Sequence, residues 1–170
     1  MSINQQLTEK KDSIIKAWCA ALVGSYPEET QRFITREKDQ FANPIGQSIN
    51  KNMSEIYKAL IGEEAFDTVS SNLEEIIKIR AVQDFSPSDS LLFIFQLKSI
   101  IRSSLNFKSI GNSSIGELNS LDVRIDELAL KAFDIYSMCR QKLYEIRVNE
   151  VQNQVGRLLK RANLTVEIPD

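Results

Sequence analysis

The 170-residue chain contains no histidine, and this absence removes several kinds of site. A globin-type haem needs an imidazole on its iron, and most zinc and non-haem iron sites use at least one histidine. Histidine is also the commonest general base near neutral pH. The composition therefore excludes haem held by histidine and nucleophiles activated by histidine within this chain, and we expect no cofactor and no metal.

Glycine and proline are scarce, with six and four residues, and no stretch alternates apolar and polar residues as a β-strand does. This pattern favours helices throughout. No apolar run approaches the roughly 18 residues that cross a bilayer, and no signal-peptide pattern opens the chain. A net charge of −2 offers no basic surface for nucleic acid. We expect a cytoplasmic protein without membrane insertion.

Cysteine occurs only at Cys19 and Cys139. Two thiols so far apart in the sequence form neither a disulfide framework nor a CxxC redox motif. Both lie inside apolar helical patterns, which favours two reduced core cysteines. A redox-sensing pair is the alternative.

The most informative segment that is present runs from Ile125 to Ala162, without proline and with apolar residues at helical spacing. As a helix it would be close to 60 Å long, roughly twice the width of a domain of this size. Its apolar positions average about 3.7 residues per turn, which argues against a sustained left-handed coiled coil. We expect the first half to pack into its own domain and residues 146–162 to project toward a second copy or a partner. The candidate interface residues are Ile146, Val151, Val155, Leu158 and Leu159.

Two other arrangements of this segment stay open. Shorter helices would cover the whole apolar stripe by folding back over it, or the helix would break near Gly156.

Capping patterns predict where the other helices begin. Ser2 begins a first helix that ends near Gly24, and Asn43 with Pro44 begins one that stops at Gly62. A short helix is predicted over residues 28–34 and another over 72–82. A densely apolar central helix is predicted to begin at Ser86, Pro87 and Asp89. The long helix is predicted to begin between residues 118 and 122, and an extended tail is predicted near residues 165–168. The helix after Asn43 is expected to bury Ile45, Ile49, Met53, Ile56, Tyr57 and Leu60.

Five blocks of sequence, at residues 25–30, 41–46, 80–88, 134–140 and 144–150, form a combined pattern. Together they resemble the RsbRD N-terminal domain family, and the likeness covers about residues 10–155. The residues that carry this family signature are Tyr26, Pro27, Phe41, Asn43, Pro44, Gly46, Asp134, Tyr136, Cys139 and Arg140.

The resemblance implies a sensory or regulatory input domain. In stressosome co-antagonist proteins such a domain precedes a STAS domain, which binds the kinase of a sigma-factor cascade. Related input domains are dimeric and globin-like without haem, and a long helix joins them to the output. With the helical pattern, this implies one all-α, globin-like bundle of six or seven helices over residues 1–170, with 163–170 as a tail. We expect no STAS domain in these 170 residues, so the kinase-binding role does not follow.

The leading hypothesis is a non-catalytic regulatory module that forms a homodimer through its long helix and acts on an unknown protein partner. No spacing of carboxylates predicts an enzyme. One alternative is a sensor of a small apolar ligand in an internal pocket; ordinary core packing competes with it. A second alternative is an accessory role in an anaerobic redox complex, because stand-alone relatives occur beside such genes. The residues proposed to line the pocket are Trp18, Tyr26, Phe41, Phe93 and Phe95.

Overall fold

A computed structural model describes residues 2–36, 43–62, 68–83, 85–106 and 114–162 of the chain. Within these ranges the chain forms seven α-helices and no strand, which confirms the all-α prediction. In chain order the helices are α1 (Ile3–Glu9), α2 (Lys11–Val23), α3 (Glu28–Arg36), α4 (Pro44–Leu60), α5 (Val69–Val82), α6 (Pro87–Ser104) and α7 (Ser114–Arg161). The predicted tail at residues 163–170 lies outside the described residues.

The capping predictions are confirmed at three helix starts. The Ser2 hydroxyl accepts the Gln5 N–H, and the Gln5 side chain accepts the Ser2 N–H in return. Asn43 accepts the Gly46 N–H at 2.9 Å. The Ser86 hydroxyl accepts the Asp89 N–H at 3.1 Å. Each cap gives an acceptor to a first-turn N–H that the helix itself leaves unpaired.

Three predicted boundaries are wrong, and in one of them α5 begins at Val69 rather than at residue 72. The first helix is interrupted at Lys10, whose ammonium donates to the Ser104 carbonyl at the end of α6. The long helix begins at Ser114, earlier than predicted. Its first turn is held from outside, because the Glu117 carboxylate accepts the Ile3 N–H at 3.2 Å. Long-range contacts of this kind cannot be read from local sequence.

The core lies between α2, α4, α5, α6 and the first half of α7. Trp18 is fully buried, stacks on Phe93 and donates its indole N–H to the Phe93 carbonyl at 2.7 Å. The predicted inner face of α4 is confirmed except at its start, where Ile45 is exposed although Asn43 and Gly46 beside it are buried, so its side chain lies on the outer face of the first turn. The fully buried apolar residues include Ile14, Leu22, Met53, Ile56, Tyr57, Leu73, Ile77, Ile94, Leu97, Ile125 and Leu128.

Helix α6 is only partly buried, so the prediction of a central helix covered on all sides is wrong. Leu92 and Phe95 are each about half exposed, whereas Leu91, Phe93 and Ile94 point into the core. The helix has apolar residues on both faces, but the described residues cover only one of them.

Helix α7 continues without a break to Arg161 and is about 72 Å long at 1.5 Å per residue. It passes straight through Gly156, where an added Cβ would meet nothing within 4 Å. Buried residues occur on its first half as far as Tyr136, and every side chain described beyond Leu143 is exposed apart from Gly156. The two halves of one helix therefore have different surroundings.

Candidate functional site

Arg80 is the most unusual buried residue in the described part of the chain. It lies near the end of α5 with no exposed surface. Its Nη2 donates to the Ser25 hydroxyl at 2.9 Å and to the main-chain carbonyl of Asp89 at 2.8 Å. Neither Nε nor Nη1 has a hydrogen-bond partner among the described residues. A buried donor without an acceptor costs about 1–3 kcal/mol, so this arrangement is expensive for the fold.

Aromatic rings surround this guanidinium. The Phe85 ring centre lies 4.2 Å from its central carbon, the Tyr26 ring 5.1 Å and the Phe93 ring 6.0 Å away. Contacts at these distances stabilise a cation through the ring quadrupole. Burial lowers the pKa of Arg80 from its usual value, while Tyr26 and Asp89 oppose that change. An arginine stays charged in proteins, so the aromatic cage encloses a positive charge.

A surface cleft of about 630 Å³ opens beside this cage. Four of its lining residues, Ser25, Tyr26, Phe85 and Asp89, are also residues that contact Arg80. The Asp89 carboxylate accepts a hydrogen bond from Ser86 at 2.6 Å, within the same cleft. The remaining lining residues are Pro27, Thr30 and Gln83.

The cage is joined directly to α7. The Tyr136 hydroxyl donates to the Phe85 carbonyl at 2.6 Å, and the Arg140 Nη1 donates to the Ala81 carbonyl at 3.1 Å. Arg140 also lies over the Tyr144 ring at 5.2 Å and donates to its hydroxyl at 3.0 Å. The segment that carries Arg80 and Phe85 is therefore hydrogen-bonded to the point where α7 leaves the bundle.

The structure separates the predicted signature residues into two groups. Tyr26 and Pro27 line the cleft, and Tyr136 and Arg140 bond to the segment beside it. Asp134 is exposed, and Cys139 is half-buried against the core. Phe41 lies outside the described residues.

The second signature group builds a helix start. Asn43 caps α4, with Pro44 at its first position, and donates its side-chain amide to the Ile34 carbonyl at 2.7 Å. Gly46 packs against that cap, since an added Cβ would lie 2.4 Å from the Asn43 amide nitrogen. This group connects α3 to α4 and is structural.

The predicted internal aromatic pocket does not form from the described residues. Trp18 and Phe93 fill the core by stacking on each other, Tyr26 faces the Arg80 cage, and Phe95 lies half exposed on α6. Alternate residues of α6 point to opposite sides, which separates Phe93 from Phe95. Arg80 was missing from the predicted site, although it begins the family block at residues 80–88 and lies in an apolar helix shortly before Phe85.

The projecting half of α7 carries an exposed apolar line, which we call the outer stripe. It consists of Tyr144, Val148, Val151, Val155 and Leu158, each between 46% and 62% exposed. Their separations alternate between four and three residues, which is the heptad spacing of a coiled coil. The apolar positions in the sequence average about 3.7 residues per turn because they begin on the face of α7 that meets the core and end on the outer stripe.

Three of the five candidate interface residues belong to the outer stripe, and two do not. Leu159 lies beside the stripe, about 60° round the helix from its centre, whereas Ile146 lies about 160° away on the opposite face. Both are exposed. The predicted interface residues do not include Tyr144 and Val148. The helical spacing of the core-facing apolar residues continues to Ile146, which was therefore chosen instead.

An apolar groove of about 580 Å³ lies between α6 and α7. Leu92 and Phe95 line one side, and Leu130 and Phe133 the other, all about half exposed or more. Leu130 precedes Tyr144 by two heptads, so the groove and the outer stripe face similar directions, with a drift of about 20° per heptad.

The buried thiol of Cys19 has little reactivity. Burial raises the pKa of Cys19 to about 11, so its thiol is protonated at neutral pH. Both cysteines are free. The described ranges contain no group of three acidic or cysteine side chains that would hold a metal ion. They also contain no helix with the length and apolarity of a membrane span.

The sequence pattern of the family described as "RsbT co-antagonist protein rsbRD N-terminal domain" matches residues 12–151. The chain belongs to this family. The match confirms the resemblance inferred from the signature blocks, and no STAS domain is matched in these residues. An uncharacterized protein of Archaeoglobus fulgidus is 26% identical over 93 residues, which cover 54% of this chain and 58% of that protein. No solved structure matches the chain.

Membership of this family identifies a stressosome-related regulatory input domain, and the family is not known for enzymatic activity. In this rsbRD-type domain the matched region ends at Val151, within the outer stripe. The Arg80 cage and its contacts with α7 fall within the match.

Proposed function

We propose that the protein is a non-catalytic, cytoplasmic regulatory module that acts by protein–protein contacts and forms a homodimer through α7. The observation that carries the proposal is the outer stripe, an apolar heptad line exposed along a helix that leaves its own bundle. An exposed apolar line of this length is unfavourable in water and is typical of a helix that pairs with another.

The stripe also favours a particular partner and orientation. Val148 and Val155 occupy heptad position a, whereas Tyr144, Val151 and Leu158 occupy position d. The β-branched a positions together with Leu158 at d are the part of this pattern that favours a parallel two-stranded coiled coil. A second copy of this chain supplies the same line in register, so the two helices would leave their bundles side by side. Both bundles would then send their outputs in one direction.

Charge insertion tests the dimer. Val151→Asp or Val155→Asp would put a carboxylate into the paired line, and we expect a dimer at micromolar concentration to become a monomer by light scattering. The matched control is Asn153→Asp, which adds the same charge on the opposite face of the helix. A wild-type chain that is monomeric at all accessible concentrations would refute the homodimer.

A cysteine cross-link tests the orientation. In a Cys19→Ala, Cys139→Ser background, Leu158→Cys should form an intermolecular disulfide on mild oxidation if the helices are parallel and in register. The control Ile146→Cys lies on the opposite face and should cross-link poorly. Efficient cross-linking at Ile146 with none at Leu158 would show that another face of α7 pairs.

The groove between α6 and α7 is expected to extend the same interface. Phe95→Asp would place a charge there without touching the outer stripe, and we expect it to weaken the dimer less than Val151→Asp does. The physical reason is that the groove is short, whereas the stripe supplies five apolar residues. Equal dissociation constants for wild type and Phe95→Asp would leave the groove outside the interface.

A further inference from the structure

We propose that the Arg80 cage is the binding site for a small organic monocarboxylate, and that the cleft lined by Tyr26 and Phe85 is its entrance. Three N–H bonds of the guanidinium, one on Nε and two on Nη1, have no acceptor among the described residues. A buried cation with unused donors is complementary to a carboxylate, which has two acceptor oxygens and no donor.

A second buried group, on the residue after Asp89, also lacks a partner. The Ser90 hydroxyl is fully buried and has no hydrogen-bond partner among the described residues. Ser90 follows directly on Asp89, whose carbonyl accepts from Arg80 at 2.8 Å. All the buried side-chain polar atoms that lack partners in the described ranges are on Arg80 and Ser90. Buried polar groups without partners are rare in folded proteins, and a missing ligand is one explanation for them.

The chemistry of the cleft selects among anions. Tyr26 and Phe85 provide apolar ring surface, and Ser25 and Thr30 provide hydroxyls. Asp89 places a carboxylate in the same cleft, and its negative charge would repel a phosphate dianion more strongly than a monoanion. A short carboxylic acid with an apolar or hydroxylated body therefore suits the site better than inorganic phosphate.

A ligand bound at this site would affect α7 through Phe85, which contacts both Arg80 and Tyr136. The Phe85 ring covers Arg80 at 4.2 Å, and its carbonyl accepts the Tyr136 hydroxyl. A carboxylate that reaches Nε or Nη1 from the cleft must displace a group that covers the guanidinium, because Arg80 has no exposed surface, and Phe85 is the nearest of the three rings. Only this coupling step rests on the proposed regulatory function; carboxylate binding is tested separately.

The binding test uses butyrate as the probe and butyramide, its neutral isostere, as the control, with sodium chloride balancing ionic strength. Trp18 is the sole tryptophan and stacks on Phe93, which borders Arg80, so its fluorescence reports on the site. We expect saturable quenching or enhancement with millimolar butyrate and none with butyramide. In the wild-type chain, the Nε–H resonance of Arg80 should shift more than that of any other arginine.

Two arginine variants test whether butyrate binding depends on Arg80. Arg80→Gln should weaken butyrate binding about tenfold or more, because a charge-assisted hydrogen bond is lost. The control Arg32→Gln removes an exposed arginine of α3 and should leave binding unchanged. The resonance shift in wild type keeps the test valid if Arg80→Gln does not fold. Equal responses to butyrate and butyramide, a shift centred on another arginine, or preference for phosphate would each overturn the proposal.

The coupling test uses Tyr136→Phe. Butyrate should change amide hydrogen exchange around Tyr136 and Arg140 in wild type, and Tyr136→Phe should lose that change and bind butyrate with a different affinity, because coupling between two sites is reciprocal. Butyrate binding without any exchange change in wild-type α7 would overturn the coupling. A chain that is monomeric and still binds butyrate would refute the homodimer but not the carboxylate site. A chain that is dimeric and does not bind butyrate would refute the carboxylate site but not the homodimer.

Discussion

The two halves of α7 have similar apolar content and opposite surroundings. In the first half, Ile125 and Leu128 have no exposed surface, whereas Val151 and Leu158 in the second half are 57% and 62% exposed. Both halves follow helical spacing, so periodicity alone does not tell them apart. The difference teaches that an apolar stripe shows where a helix can be covered, and only the packing of the other helices shows which part this chain covers.

The largest expected difference in the free energy of unfolding is between substitutions of two leucines that lie within one turn of α7. Leu128→Ala should lower the free energy of unfolding by about 2–5 kcal/mol, because a fully buried side chain leaves a cavity. Leu130→Ala removes the same atoms from a side chain that is 67% exposed and should cost less than about 0.5 kcal/mol. Urea denaturation of dilute protein measures both. Similar losses at the two positions would mean that Leu130 is covered in the folded monomer.

Burial of the Cys19 thiol makes the stability of the core depend on pH. The pKa of Cys19 is raised from 9.0 to about 11 by burial, so the unfolded chain loses this proton first as pH rises. The contribution of Cys19 to stability is therefore intact below pH 9 and falls between pH 9 and about 11, by about 2–3 kcal/mol in total.

Cys19→Ala isolates this term. The wild type should lose more stability than the variant between pH 8 and pH 10.5, as thermal or urea unfolding at the two pH values would show. The control Ser13→Ala changes an exposed residue of the same helix that does not titrate, and it should parallel the wild type. A wild type and a Cys19→Ala chain with the same pH dependence would contradict the buried thiol.

A smaller effect is expected where α7 leaves the bundle. Tyr136→Phe removes the hydrogen bond to the Phe85 carbonyl and should cost about 1 kcal/mol. Tyr144→Phe is the matched change on the projecting half, where the exposed ring loses only its bond from Arg140, and should cost less. Unfolding curves for the pair measure the difference, which would vanish if the Tyr136 bond did not form in solution.

The smallest effect on the monomer is expected in the outer stripe. Val155→Ala should change the free energy of unfolding by less than about 0.5 kcal/mol at concentrations too low for association. At higher concentration the same change should lower the midpoint of thermal unfolding, because association stabilises the folded chain by mass action. A midpoint that does not depend on protein concentration in the wild type would remove this contrast.

Much of the fold was predictable because its determinants are local. Ser2, Asn43 and Ser86 satisfy N–H groups within three residues of themselves, so their positions could be inferred from adjacent letters of the sequence. The errors occurred where distant residues decide. The first helix is interrupted at Lys10, which is hydrogen-bonded to Ser104, and the early first turn of α7 is hydrogen-bonded to Ile3 through Glu117.

The candidate site was predictable only in part. Tyr26, Tyr136 and Arg140 were identified through family resemblance, without an indication of what they contact. Arg80 escaped, since an arginine in a helix is usually solvated and its burial depends on rings from three other segments. Phe85 is close to Arg80 in the sequence, but Tyr26, which lies between α2 and α3, and Phe93 on α6 are brought to it only by tertiary packing.

By itself, the sequence determined the helical class, most helix starts and the existence of one unusually long helix, because capping and spacing act over a few residues. It also determined that no imidazole is available for metal or acid–base chemistry. The tertiary structure decided which apolar residues of that helix remain exposed and that a charged arginine is enclosed beside it. Both depend on which helices lie against each other, and burial is a property of all the neighbours of a residue together.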